Sequence, residues 1–157
     1  MKILVVSDSH GNTDALLRAA AVTGPDLILH LGDHCYDCDV LADNMPQIPV
    51  RCVKGNCDIG AFELDIDEFV VENKRIFMTH GDLYGVKSSL DSLITTAMYK
   101  NADIVLFGHT HRAYELEYED MLILNPGSVG RNEKSYAVLT VENGTVDWEI
   151  EYLDMWD

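Results

Sequence analysis

No apolar stretch in this chain approaches the roughly 18 to 20 residues that cross a bilayer as a helix, so the sequence offers no membrane-spanning segment. A charged leader with an apolar core is missing too, because the first strand-like run begins at Lys2. On that reading the protein is expected to be cytoplasmic. Positive charge is scarce: 11 Lys and Arg stand against 27 Asp and Glu, a formal net charge of -16. That balance excludes a broad basic surface for long nucleic acids. A phosphate-bearing ligand would have to be attracted locally, and bound divalent cations are often the largest charges in such a site. The composition therefore favours a small substrate. Repeats, linkers and low-complexity tracts are also missing, and 157 residues suit one domain spanning 1–157 that buries roughly 70% of its unfolded-state surface.

Cysteine is sparse. Without a leader, Cys35, Cys38, Cys52 and Cys57 are expected as reduced thiols rather than a disulfide framework. Their spacing, C-x2-C-x13-C-x4-C, superficially resembles a structural zinc site. Against it, Cys57 sits between two other candidate site residues, Asn56 and Asp58. No apolar strand leads directly into a helix at Cys35 and Cys38, as a thioredoxin-like pair would require.

What is present is an ordered alternation. Lys2 to Ser7 reads as a buried strand, Asn12 as the N-cap of a helix through Val22, and Gly24-Pro25 as its stop. Leu27 to Leu31 forms a second strand, Asp37 to Met45 a short helix, and Ile48 to Lys54 a third strand. This is parallel α/β patterning. Glu63 to Val71 and Lys74 to Thr79 read as a hairpin about Glu72-Asn73. Leu90, Leu93, Ile94, Ala97 and Met98 then mark one face of a helix. After a strand over Asp103 to Phe107 the pattern becomes a meander. There, Tyr114, Leu116 and Tyr118 alternate with glutamates, and Val146, Trp148, Ile150 and Tyr152 alternate with acids after an Asn143-Gly144 turn. The acidic faces of these two ribbons are expected to be solvated, with a basic partner as the alternative.

Five polar fragments interrupt this frame: Asp8-Ser9-His10, Gly32-Asp33, Gly55-Asn56-Cys57-Asp58, His80-Gly81 and Gly108-His109-Thr110-His111. Each follows a strand-length apolar run, and ligands at the ends of adjacent strands can converge. If the segments stay extended, alternate residues point the same way, pairing Asp8 with His10 and His109 with His111. The ligand inventory is two carboxylates (Asp8, Asp33), one amide oxygen (Asn56) and four imidazoles (His10, His80, His109, His111). Such a mixed nitrogen and oxygen set suits transition metals better than magnesium, making Mn the leading candidate, with Fe, Zn, Ni or Co as alternatives. The set is too large for one ion and suits two divalent metal ions bridged by Asp33, a clamp used for in-line displacement at phosphorus. Two divalent ions, two carboxylates and a bridging hydroxide leave the cluster near +1, which attracts a phosphate ester even in an acidic protein. His30, lone in an apolar strand, reads as a satisfied core residue.

In these fragments the chain resembles the calcineurin-like metallophosphoesterases, whose motifs run D-x-H, G-D-x-x-D, G-N-H-D/E, H and G-H-x-H, and in size their YfcE-type phosphodiesterase branch. The resemblance runs from Asp8 through the Asn125-Pro126-Gly127-Ser128 turn. It implies a two-sheet β-sandwich flanked by helices. It also implies that Asp8, His10 and His111 hold one ion and Asn56, His80 and His109 the other, with Asp33 bridging. By the same resemblance the activity is that of a metal-dependent phosphoesterase acting on a small phosphate ester through a metal-bridging hydroxide. Two positions depart from the pattern. Tyr36 stands where a second aspartate belongs, with Asp37 one place late. Cys57 replaces the histidine that helps bind substrate and protonate the leaving group in larger relatives, and a thiol is a poorer proton donor near neutrality. Cys57 and Asp58 are catalytic candidates, Asp58 equally a turn residue capping local backbone. Asn12 and Arg131 are candidates for phosphate contact, although Asn12 is equally a helix cap. His34 adjoins Asp33 but is expected to point away. The rivals are a non-catalytic interaction scaffold, since the resemblance extends to a eukaryotic retromer subunit, and a phosphomonoesterase or nuclease. Homo-oligomers are compatible with all three.

Overall fold

The computed structural model describes residues 1–153. Its elements run β1 (Lys2–Val6), α1 (Thr13–Thr23), β2 (Leu27–His30), α2 (Asp37–Asn44), β3 (Val50–Cys52), β4 (Ile66–Val71), β5 (Lys74–Thr79), a 3-10 turn (Asp82–Tyr84), α3 (Asp91–Tyr99), β6 (Ile104–Leu106), β7 (Ala113–Tyr118), β8 (Met121–Pro126), β9 (Ser135–Glu142) and β10 (Thr145–Tyr152). The strands form two five-stranded sheets, ordered β10-β9-β1-β2-β3 and β4-β5-β6-β8-β7.

The central strands read as unbroken apolar runs because both their faces are buried. In β1, Ile3 and Val5 point into the layer between the sheets, with Leu29, Met78, Leu106, Leu124 and Leu139. Leu4 and Val6 point outward beneath Leu16, Ala19 and Leu41 of the helices. Phe77, Val105 and Ile123 of the second sheet are covered in the same way by Leu93 and Ala97 of α3. The result is the expected αββα sandwich. Among the described residues no helix is long and apolar enough to cross a membrane.

Turn chemistry accounts for the hairpins. Glu72-Asn73 and Asn143-Gly144 both take positive φ, the geometry that matches the twist of two-residue hairpins. A third such turn, Glu119-Asp120, joins β7 to β8 without any glycine to mark it.

The second half of the chain is not a meander. The β5 and β6 strands pair in parallel, as do β6 and β8, so α3 is a crossover and β7 is folded back to the sheet edge. That edge position corrects the ribbon reading: Tyr114 and Tyr118 are 41% and 42% exposed, since an edge strand has a neighbour on one side only. In β10 the alternation holds for Val146, Trp148 and Ile150, while Tyr152 is exposed. Met98, expected on the buried face of α3, is exposed as well.

Candidate metal centre

Parallel strands deliver their C-terminal ends to one edge of the sandwich, where β1, β2, β3, β5 and β6 each end just before a polar fragment. The chain does not stay extended there. Asp8, His10, Asp33, His109 and His111 all have φ between 46° and 71°, in the left-handed region. Asp8 and His10 do meet, through tight left-handed turns rather than by strand pleating, whereas His109 and His111 fall in different ligand groups. Asp and His adopt this conformation more readily than most residues, and such strain persists where the surroundings over-determine it.

Those surroundings are polar side chains, with Asp37, Asn125 and Ser128 buried and Asp58 half-buried. Both oxygens of Asp58 accept backbone N–H groups, from Asp33 (2.9 Å) and Gly55 (2.8 Å) on one and from His34 (2.7 Å) and Cys35 (2.9 Å) on the other. Burial opposes its charge, yet these four bonds hold its carboxyl below the ordinary range. Asp58 thereby ties the Asp33 loop to the Gly55 loop. Asp37 does the same for the first loop: its Oδ2 accepts from Ser9 Oγ (2.7 Å) and the Gly11 N–H (2.9 Å), and its Oδ1 lies 2.9 Å from His34 Nδ1. Asn125 donates to the Gly108 carbonyl and to Thr110 Oγ1, and Ser128 Oγ donates to the Asp8 carbonyl. Glycine is required where loops cross. A Cβ on Gly55 would overlap Asp33 Oδ1, and one on Gly108 would overlap the Ser7 hydroxyl.

Ligand atoms converge inside this cradle in two groups, Asp8, His10, Asp33 and His111 in one and Asp33, His80 and His109 in the other. Asp33 is common to both. The Nε2 atoms of His10 and His111 are 3.3 Å apart, and His80 Nε2 lies 3.2 Å from His109 Nδ1. His111 Nε2 is 3.2 Å from Asp8 Oδ1, and His80 Nε2 is 3.4 Å from Asp33 Oδ2. The His80 Nδ1 lies 2.8 Å from the Leu31 carbonyl. A carbonyl only accepts, so Nδ1 carries the proton and Nε2 presents its lone pair to the centre. Asp8 Oδ1 is buried with no hydrogen-bond partner, while Asp8 Oδ2 accepts from Ser7 Oγ and the His109 N–H. An orphaned carboxylate oxygen facing several imidazole lone pairs fits divalent cations.

The electrostatics agree. Burial opposes the charge of Asp33, but His80 and the Cys57 N–H hold it well below the usual carboxylate range. Burial also works against a charged His80, yet its bond to Asp33 and the charges of Asp8 and Asp33 outweigh that and raise it. His10 is lowered by burial and by Arg131, and His109 by burial, His80 and Lys87.

The remaining candidates lie around the rim. Asn56 is exposed, with its amide 3.7 Å from the Cys57 thiol. The Cys57 side chain is exposed, its N–H donates to Asp33 Oδ1 (2.9 Å), and burial and the Asp33 charge push its thiol up. Asn12 caps α1 through the Ala15 N–H and donates to the Gly130 carbonyl. Arg131 is exposed and, with His111, Arg112, Ser128 and Tyr152, lines a cavity of about 400 Å³ beside the centre. His34 bonds Asp37 and belongs to neither ligand group. Asp37 and Ser9 are the positioning residues that sequence reasoning missed; the signal was polar side chains bracketing D-x-H in an otherwise apolar frame.

An αββα sandwich with an Asp and His cluster at the strand ends defines a metal-dependent hydrolase architecture. The model of the calcineurin-like phosphoesterase superfamily domain matches residues 1–144, and the chain belongs to that family. It is 34% identical over 147 residues to the probable metallophosphoesterase YsnB of Bacillus subtilis, covering 91% of this chain and 86% of that protein. Phosphodiesterase YfcE of Escherichia coli is 28% identical over 167 residues, covering 88% and 87%. A predicted phosphoesterase structure from Streptococcus pneumoniae superposes with a TM-score of 0.79 at 27% identity, covering 96% of this chain and 88% of that one. Vps29 of Entamoeba histolytica, solved with zinc, shares the fold with a TM-score of 0.76 at 22% identity, covering 97% and 99%.

Proposed function

We propose that the protein is a dinuclear phosphodiesterase for small phosphate esters, with Asp8, His10 and His111 around one ion, His80, His109 and Asn56 around the other, and Asp33 shared. The observation that carries this reading is the pair of ligand groups meeting at Asp33, with Asp8 Oδ1 orphaned between them. Two divalent cations bound there, Mn by preference and Fe, Zn, Ni or Co as alternatives, supply Lewis-acid charge and an activated water for in-line attack at phosphorus.

The chain's own residues bind and orient. His80, with its proton fixed on Nδ1, and Asp33, kept ionised, hold the shared edge of the centre. Arg131 and Arg112 face the cavity beside His111 and draw the anionic ester toward it. Cys57 stands at the rim as a protonated thiol, so alcohols that leave easily without a proton are the better substrates. The YfcE relative is a phosphodiesterase by name, which supports the diester over the monoester.

Turnover of an activated aryl phosphodiester by the metal-free chain, with and without added manganese, tests the proposal. Activity that appears with manganese and disappears with chelator is expected; activity indifferent to both overturns it. One observation favours an interaction role. Ile59, Phe62 and Leu64, beside Asn56 and Cys57, are 96%, 101% and 70% exposed, an apolar cluster of the kind that docks partners or a second copy. Metal-independent self-association that is lost in Phe62→Ser, without any turnover, would establish that reading.

A further inference from the structure

Beneath the N-terminal end of α2, three further soft ligands come together. His30 closes β2, Cys52 closes β3, and the two are directly paired in the sheet. Cys38 lies in the first turn of α2. One ligand atom from each of His30, Cys38 and Cys52 lies within 4.8 Å of the other two. Cys35 adjoins them: the Cys52 thiol lies 3.9 Å from the Cys35 carbonyl, and the Cys35 thiol donates to Glu63 Oε2 (3.4 Å). Cys57 stands apart from this set, beside Asp33 at the rim of the candidate centre, as its place between Asn56 and Asp58 led one to expect, and a histidine joins the thiols instead.

We propose that Cys38, Cys52 and His30, with Cys35 as the fourth donor, form a separate site for one zinc-class ion. A tetrahedral site with Zn–S near 2.3 Å and Zn–N near 2.0 Å needs ligand atoms roughly 3.4 to 3.8 Å apart, a spacing within reach of a trio whose separations do not exceed 4.8 Å. The donors come from β2, β3, α2 and the turn before it, and an ion among them would cross-link the helix to the sheet edge. An apolar explanation accounts for a small core thiol such as the buried Cys35, but not for two half-buried thiols meeting at an imidazole.

Loading has two costs that the geometry identifies. His30 Nδ1 accepts the Gly32 N–H (3.0 Å), so Nε2 carries the proton and donates to Ser9 Oγ (2.9 Å); an ion at Nε2 replaces that proton and that bond. Ser9 Oγ keeps its bond to Asp37. The thiols of Cys35, Cys38 and Cys52 each release a proton to buffer, Cys35 giving up its bond to Glu63, and three thiolates with one neutral imidazole leave the site of a divalent ion at a charge of about -1.

Full-length protein, reduced and stripped of metal, should be titrated with Co²⁺. Wild type is expected to develop a near-ultraviolet sulfur-to-cobalt charge-transfer band and to bind one more ion per chain than Cys38→Ser or Cys52→Ser, which lose the band and keep phosphodiester turnover. The band should persist in Cys57→Ser, and in Asp33→Ala, where stoichiometry reports separately on the dinuclear reading. No band in wild type, a band that disappears only with Cys57, or denatured protein lacking two free thiols because Cys38 and Cys52 have paired, each overturns the site. If the serine variants do not fold, zinc X-ray absorption of Asp33→Ala decides: a shell containing sulfur near 2.3 Å supports the site, and one of nitrogen and oxygen alone overturns it.

Discussion

Around Asp8, His10 and His111 the candidate centre is braced from beneath, whereas around His80, His109 and Asn56 it opens onto an exposed loop. On the first side, Asp8 is fully buried and fixed by Ser7, Ser128 and the His109 N–H, and the His10 turn is held through Gly11 by Asp37. On the second side His80 is fully buried, but Asn56 is exposed, with its side-chain amide 3.7 Å from the neighbouring thiol. Ile59, Phe62 and Leu64 follow in the same loop, with their side chains in solvent. Under the proposed assignment one half is preorganised, and the other has to order Asn56 when it fills. Ordering costs conformational entropy, so the second ion is expected to bind more weakly than the first.

The largest test of this asymmetry is Asp33→Ala, which removes the residue common to both halves. Both ions should be lost, and turnover should fall by more than the roughly 10- to 100-fold typical of an outer partner. Metal analysis showing one ion retained at wild-type affinity would mean that Asp33 does not bridge.

Asp58→Ala should come next, since it leaves four loop N–H groups without their acceptor. A loss of about 2 kcal/mol of stability, with metal affinity down roughly 10-fold or more, is expected by thermal unfolding and titration. If metal affinity is unchanged while activity collapses, Asp58 acts in the chemistry rather than in positioning.

Acidification should separate the halves. Imidazoles bind metal only when neutral, so affinity should fall as pH drops toward and below about 6.5. His80 is raised and His10 lowered; a raised pKa means protonation at higher pH, so the His80 side should release its ion first. A single simultaneous release, or full retention at pH about 4.5, would contradict this ligand set.

Asn56→Ala should do less than any of these, weakening only the second ion because it removes one neutral oxygen. If it lost more metal than Asp33→Ala, the division into halves would be wrong. The smallest expected effect is selective: Cys57→His places a donor titrating near neutrality at the rim and should speed esters of alkyl alcohols relative to phenols. General acids contribute typically 10² to 10⁴ when well placed, but an imidazole on an exposed loop should give only a modest part of this. Rates of wild type that already ignore leaving-group acidity would point to another proton donor.

Much of the fold was legible in the residues because the physics is local. Unbroken apolar runs marked strands buried on both faces, Asn12 and Gly24 bounded α1, and Glu72-Asn73 and Asn143-Gly144 marked hairpins. The edge position of β7 was not legible, since Tyr114, Leu116 and Tyr118 alternate with glutamates just as a half-buried strand would. The sheet neighbours of a strand depend on distant residues.

The same division runs through the site. Local sequence determined which side chains could hold metal, because D-x-H, G-D and G-H-x-H place ligand chemistry directly after strands. Only the tertiary structure decided that the turns are left-handed, and that Asp58 and Asp37 have their oxygens on backbone N–H groups. It also decided that His30, buried and hydrogen-bonded at both ring nitrogens as a satisfied core residue, has two thiols beside it. Most of these outcomes rest on contacts between residues distant in sequence, such as Asp33 with Asp58 and Gly11 with Asp37, where hydrogen-bond satisfaction in a loop, and not local propensity, selects the conformation.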